Sequence, residues 1–237
     1  MFTAAQDKGD AFLRIAAVCW MATSVTTLGL IFLPRMLPPA PDLLSQALQA
    51  ADPIRQLRLW VGVIHPWLVC VGMLGIAHVT WRRAPGATAV ALLCQFVWGL
   101  AEMVQQSLLL VGQSWRLYPR YLAAADDATR ARIAASIDAT AAVSDALFFL
   151  LLLAFIAGAV LFAWATRATQ GLRLAVSIAF VLSAGLGVVS FLTSYGGGVL
   201  PAGVMDVLYP AIQPAGRFMT GVWLWRLSSA PDGGRSA

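Results

Sequence analysis

Residues 148–164 read FFLLLLAFIAGAVLFAW, and the charge-free stretch around them runs from Ala146 to Thr166, between Asp145 and Arg167. At about 1.5 Å per residue a helix of that length covers roughly 30 Å, the thickness of a bilayer's hydrocarbon core. A helix apolar on every side has no place on the surface of a soluble domain. Outward from this run the same pattern recurs, and six spans are expected: 12–34, 59–80, 88–112, 141–166, 174–194 and 208–227. The last is the weakest, interrupted by Pro210, Pro214 and Arg217. Composition agrees, since 59% of the 237 residues are apolar and 11% charged. Soluble chains sit near half and a quarter. The expected fold class is therefore all-α, a polytopic transmembrane bundle forming one domain over 1–228, followed by a disordered tail at 229–237. No cleavage site of the small-residue type follows the first run, which is read as a retained span.

Orientation comes from the basic residues of the short loops. With both termini on one side, that side collects Lys8, Arg14, Arg82, Arg83, Arg167, Arg173, Arg226 and Arg235 against Asp7, Asp10 and Asp232. The connections WRRAPGA and TRATQGLR carry no acidic residue. Both termini are thus expected in the cytoplasm, and the protein in a bacterial inner membrane. The opposite side mixes seven basic residues, Arg58 among them, with six acidic ones in two long connections. Within those, DLLSQALQAADP reads as a short amphipathic helix capped by Asp42, and Asp52-Pro53 as the start of the second span. Asp126 and Arg130, four apart, support a helix running straight into span four.

Several functions are excluded. The single lysine, Lys8, lies outside the bundle, so no retinal Schiff base can form. His65 and His78 share one span about 20 Å apart and cannot ligate one haem. Three isolated cysteines make neither a disulfide framework nor a zinc site. No cofactor is expected. A sequence pI near 9.6 reflects arginines at helix ends, and no nucleic acid is expected as a partner.

What remains is a set of polar residues that hydrocarbon makes costly, at least about 2.5 kcal/mol for each ionised side chain at mid-span. Glu102 lies two residues past the middle of span three, and Arg217 at the middle of span six. Opposite charges at matched depth are expected to face each other, as an ion pair or across a shared water-filled pocket. Gln95, Trp98, Glu102, Gln105 and Gln106 fall on one helical face, as do Tyr209, Gln213, Arg217 and Thr220. Span five offers the small stripe Ser183, Gly187, Ser190 and Ser194. His65 precedes Pro66, which frees a carbonyl near Gly62 and kinks its helix. Asp145 and Tyr195 lie nearer the outer surface.

The expected site is therefore a polar cavity near the midplane opening outward: Glu102, Arg217, Gln105, Gln106, Gln213, His65, Asp145, Ser190 and Tyr195. It would bind or move a small polar or charged ligand, with Arg217 neutralising an anion or Glu102 a cation. Six helices without an inverted repeat are few for a transporter, so transport would call for a homo-oligomer. A second reading makes the chain a non-catalytic accessory or assembly subunit of a larger membrane complex, with the Glu–Arg pair as structural glue. Gly- and Ser-rich outer faces would favour it. A third makes the chain a membrane enzyme acting on lipid, with His65 and Glu102 or Asp145 as acid–base groups or metal ligands, but no HExxH or GxSxG motif accompanies them.

The whole-chain pattern resembles a family of bacterial six-span membrane proteins defined only as a domain of unknown function. The resemblance rests on the outer PDLLSQALQA loop, an acidic third span WGLAEMVQQSLLLVG, the aromatic-rich fourth span and a last span ending in VWLWR. It implies the six-span fold and no reaction. That family's third span carries an arginine one turn before its glutamate, where this chain has Trp98 and Gly99; the basic residue appears instead at Arg217.

Overall fold

A computed structural model describes residues 3–198 and 203–229, and every regular element among them is helical. The tail from residue 230 onward, expected to be disordered, lies outside the described residues. In chain order the helices are α1 (Thr3–Phe32), α2 (Leu43–Leu48), α3 (Pro53–Thr80), α4 (Pro85–Ser107), α5 (Tyr118–Leu122), α6 (Asp127–Thr166), α7 (Gly171–Tyr195) and α8 (Val204–Ser228). A π-helical stretch, Leu108–Leu117, joins α4 to α5 without a break. Five segments are long and apolar enough to cross a membrane: Ala11–Met36, Pro53–Thr80, Pro85–Leu122, Asp127–Thr166 and Gly171–Tyr195. The sixth long helix, α8, matches them in length but not in apolarity, because Asp206, Pro210, Gln213, Pro214 and Arg217 interrupt it.

The six long helices close a ring in the order α1, α3, α4, α6, α7, α8 and back to α1. Every neighbouring pair is antiparallel, and small residues set how closely each pair packs. A Cβ on Gly72 would meet Trp20 at 2.7 Å, and one on Gly158 would meet the Gln95 amide at 2.5 Å. Gly187 lies under Phe155 and Ile156, and Gly216 against Ala179. Where lipid is as apolar as leucine, close backbone approach of this kind replaces the hydrophobic effect as the force holding helices together. Gly158 of α6 is thus spent on the close approach of α4.

At the end of the ring bearing the 81–84 and 167–170 connections, the interior is solid. Ile76, Phe162, Val176 and Leu224 are fully enclosed there, with Trp20, Met73, Phe180 and Trp223 around them. At the other end α6 continues past its neighbours: forty residues make about 60 Å of helix, twice the thickness of a hydrocarbon core. Its N-terminal part packs with α2 and α5 in a separate small cluster of Ala47, Ala50, Tyr118, Ile133 and Ile137.

Caps explain where these outer helices begin. The Asp42 carboxylate accepts from the Ser45 N–H at 2.7 Å and Ser45 reciprocates, a capping box. Asp52 accepts from Ile54 and Arg55, with Pro53 in the first turn. Asp126 caps α6 through the Thr129 N–H at 2.7 Å; Arg130, expected to pair with it, bonds Asp127 instead at 3.0 Å, since Asp126 faces the helix start. Backbone N–H donors foremost, with the side chains of Ser45 and Thr129 assisting, hold the Asp42 and Asp126 carboxyls below their ordinary value of 3.8. Because folding lowers both values, the stability they confer is complete above pH 3.8 and fades as pH falls through the folded values. A carboxyl carbon NMR titration should return midpoints below 3.8 for both.

Candidate functional site

Inside the ring, toward the end remote from the packed plug, lies an open cavity of about 380 Å³. Its polar wall is drawn from five helices. Thr27 comes from α1, Arg58 and His65 from α3, Glu102, Gln105 and Gln106 from α4, Ser190 from α7, and Tyr209 and Arg217 from α8. Apart from Trp98 on α4, the rest is apolar: Leu30 and Ile31 on α1, Leu109, Gly187, and the α6 run Phe148, Leu151, Leu152 and Phe155. A cavity this size suits a small ligand.

The periodicities of α4 and α8 position the charged groups as their spacing predicts, on faces turned into the ring. Glu102 and Arg217 line the same cavity, yet no ion pair joins them. Among the described residues, the ion pairs are Arg35–Asp206 and Arg130–Asp127, both exposed. Arg217 is 8% exposed; its Nε and Nη1 have no hydrogen-bond partner, and its guanidinium sits 5.7 Å from the centroid of the Trp20 ring. A cation over an indole face gains about 0.5–2 kcal/mol, which steadies the group without neutralising it. No hydrogen bond reaches the Glu102 carboxylate from a described residue either.

The flanking polar groups are better satisfied. Gln106 folds over Gly62, where an added Cβ would meet its side chain at 2.7 Å, and its Oε1 accepts from Arg58 Nη1 at 3.3 Å. Gln105 Nε2 donates to the Ser144 carbonyl at 3.0 Å, tying α4 to α6. His65, 2% exposed, shares a 2.7 Å hydrogen bond between its Nδ1 and the Thr26 hydroxyl, and Trp98 stands edge-on to its ring at 6.2 Å. The Ser24 hydroxyl donates to the Pro214 carbonyl at 2.8 Å, fixing α8 against α1 beside the second proline.

Of the nine residues expected at the site, six line this cavity: Glu102, Arg217, Gln105, Gln106, His65 and Ser190. Gln213 lines a neighbouring space of about 20 Å³, shared with Gln95, Trp20 and Arg217. That space has room for about one water, and Gln95, Gln213 Nε2 and Trp20 Nε1 are buried around it without partners. Asp145 borders a shallower space with Asp138, Gln113 and Tyr118, and Tyr195 donates to the Asp145 carbonyl at 2.8 Å. Neither Asp145 nor Tyr195 lines the central cavity. Conversely, Arg58 belongs to it although the sequence ranks it with the loop cations. The signal was its spacing: Arg58, Gly62 and His65 recur on one face of α3.

Among the described residues, no group of three or more His, Cys, Asp or Glu could hold a metal ion. The Cys19, Cys70 and Cys94 thiols are free. No protein-family model, curated protein or solved structure matches this chain.

Proposed function

We propose that this protein is a six-span bundle of a bacterial inner membrane, with both termini cytoplasmic, that binds a small polar or charged ligand in the central cavity from the outer side. One observation carries the reading. A cavity of about 380 Å³ in a membrane-like bundle is lined by Glu102 and by a buried Arg217 whose Nε and Nη1 lack partners. Unpaired ionisable groups at that depth are expensive, and a ligand that meets them removes the cost.

The packed plug of Ile76, Phe162, Val176 and Leu224 below the cavity favours binding over open passage. Movement of the ligand across the membrane would require the helices around that plug to separate. The accessory-subunit reading has less support. Its structural glue is a Glu102–Arg217 ion pair, and no ion pair or hydrogen bond joins these side chains. The Ser183, Gly187 and Ser190 stripe of α7, which could have served a partner, faces the interior.

Thiol labelling tests the reading. In a background lacking Cys19, Cys70 and Cys94, S190C should react with a membrane-impermeant reagent applied to the outer face. A84C should react only from the cytoplasmic face. Reaction at Ser190 only from the cytoplasmic side, or at neither face, would overturn the outward-opening cavity.

A further inference from the structure

The charges on the cavity wall do not balance. Arg58 and Arg217 face one carboxylate, Glu102, and all three line a single space with no ion pair among them. Arg58 has one hydrogen bond across the cavity wall, to Gln106, and its buried Nε has no partner. Arg217 has two buried nitrogens in the same condition. Two planar guanidinium groups with unused donors form a receptor for a carboxylate or an acid of similar shape, which each can grip through paired N–H bonds. The excess is one positive charge, so a monoanion balances it. A dianion would leave an excess negative charge, and a cation or zwitterion would leave positive charge unmet.

The other wall sets the rest of the molecule. Leu30, Ile31, Leu109, Phe148, Leu151 and Phe155 present hydrocarbon and aromatic surface with no hydrogen-bonding group. A fully hydrophilic anion such as chloride or acetate would leave that wall unused.

We propose that the ligand of the central cavity is an amphiphilic monoanion, its acid group held by Arg58 and Arg217 and its apolar body laid against the α1 and α6 wall. This rests on the ligand-binding reading above and gives it a chemical class. Glu102 then accepts a hydrogen bond from a neighbouring hydroxyl, for which Tyr209 is placed on the same wall. Such an acid can come from water or from the bilayer. Asp138 and Asp145, which border the shallower space that shares Leu109 with the cavity, disfavour an anion arriving from water through that space.

The test uses the full chain in nanodiscs of zwitterionic lipid and four probes: 4-phenylbutyrate and 4-phenylbutylamine added from water, and oleate and oleylamine added to the bilayer. Binding is read as a saturable rise in melting temperature with probe concentration. At least one acid should bind saturably and its matching amine should not. A response to phenylbutyrate alone assigns the source to water, and to oleate alone assigns it to the membrane. R58Q and R217Q should each weaken acid binding by about ten- to a hundredfold, the range for losing a charged hydrogen bond. R217K keeps the charge but loses the paired donors, so its acid binding should fall between that of the wild type and that of R217Q; if R217Q does not fold, R58Q carries the comparison.

Amines binding as tightly as acids would overturn the monoanion and leave the ligand cavity standing. Acid binding that R58Q leaves unchanged would overturn it too, because the acid would then sit elsewhere. Saturable binding of none of the four probes would overturn both readings.

Discussion

Phe162→Ala should lower the stability of the bundle by about 2–3 kcal/mol, read as the shift in unfolding midpoint when the protein is titrated with SDS in mixed micelles. Phe162 is 0% exposed, packed 5.7 Å from the Phe180 ring in the plug beneath the cavity. In soluble cores such a truncation costs roughly 3–5 kcal/mol, part for transfer to water and part for the void left behind. A membrane interior removes most of the transfer part, since lipid is as apolar as the side chain. The void remains, with its lost dispersion contacts. Leu153→Ala is the control: at 43% exposed on the outside of α6, it should change the midpoint by less than about 0.5 kcal/mol. Equal effects from both substitutions would mean that the plug is not packed as described.

The second large effect concerns the α1–α8 seam. Gly221→Ala should destabilise by roughly 1–3 kcal/mol, the range for overpacking. A Cβ there would lie 2.9 Å from the Ala17 carbonyl oxygen and 3.0 Å from the Met21 nitrogen. Both are backbone atoms of α1, so no side chain can rotate away and the helices must part. Away from such a neighbour the same change would help, because alanine is better than glycine in a helix by roughly 0.5–1 kcal/mol. Gly185→Ala meets nothing within 4 Å and should be neutral or slightly stabilising. The contrast is measured by differential scanning fluorimetry of the two variants. Arg217 lies one turn before Gly221 on α8, so the same displacement should also weaken acid binding. Stability intact in Gly221→Ala would contradict the close seam.

Much of the architecture was legible because the membrane punishes polar residues so heavily. The run FFLLLLAFIAGAVLFAW fixes a spanning helix by length alone, and Asp42, Asp52 and Asp126 mark helix starts by the backbone donors they satisfy. The sixth long helix shows the limit of that logic. Hydropathy cannot separate a polar surface helix from one whose polar face lines a cavity, and α8 falls short in apolarity for the residues that make it interesting. Depth along a helix was also easier to read than direction around it. α4 and α8 have sharp polar faces, so Glu102 and Arg217 turned inward as their spacing implies. The run of α6 that follows Asp145 is apolar on all sides, so it gives no polar face by which to tell which way Asp145 turns. Arg58 was hidden by its position at a span boundary, where arginines are ordinarily topological markers. The π-helical stretch at Leu108–Leu117 has no signature in a single sequence, because i→i+5 bonding follows from packing rather than from residue type.

The ring described above also dictates an order of assembly. Five of its six seams join helices that follow one another along the chain, so each can zip up as an antiparallel hairpin soon after synthesis. The sixth, α1 against α8, links the two ends of the described chain; its Ser24–Pro214 hydrogen bond spans 190 positions. Contacts of such long sequence separation form late, after the loop entropy of everything between them has been met. Until that final seam closes, the interior, with Arg58 and Glu102 already inserted and Arg217 still to come, stands open to lipid along one side. Biogenesis therefore passes through an incomplete barrel whose charges lack their enclosure. A ribosome arrested before residue 204 should leave a nascent chain that quality-control proteases recognise and the finished protein escapes.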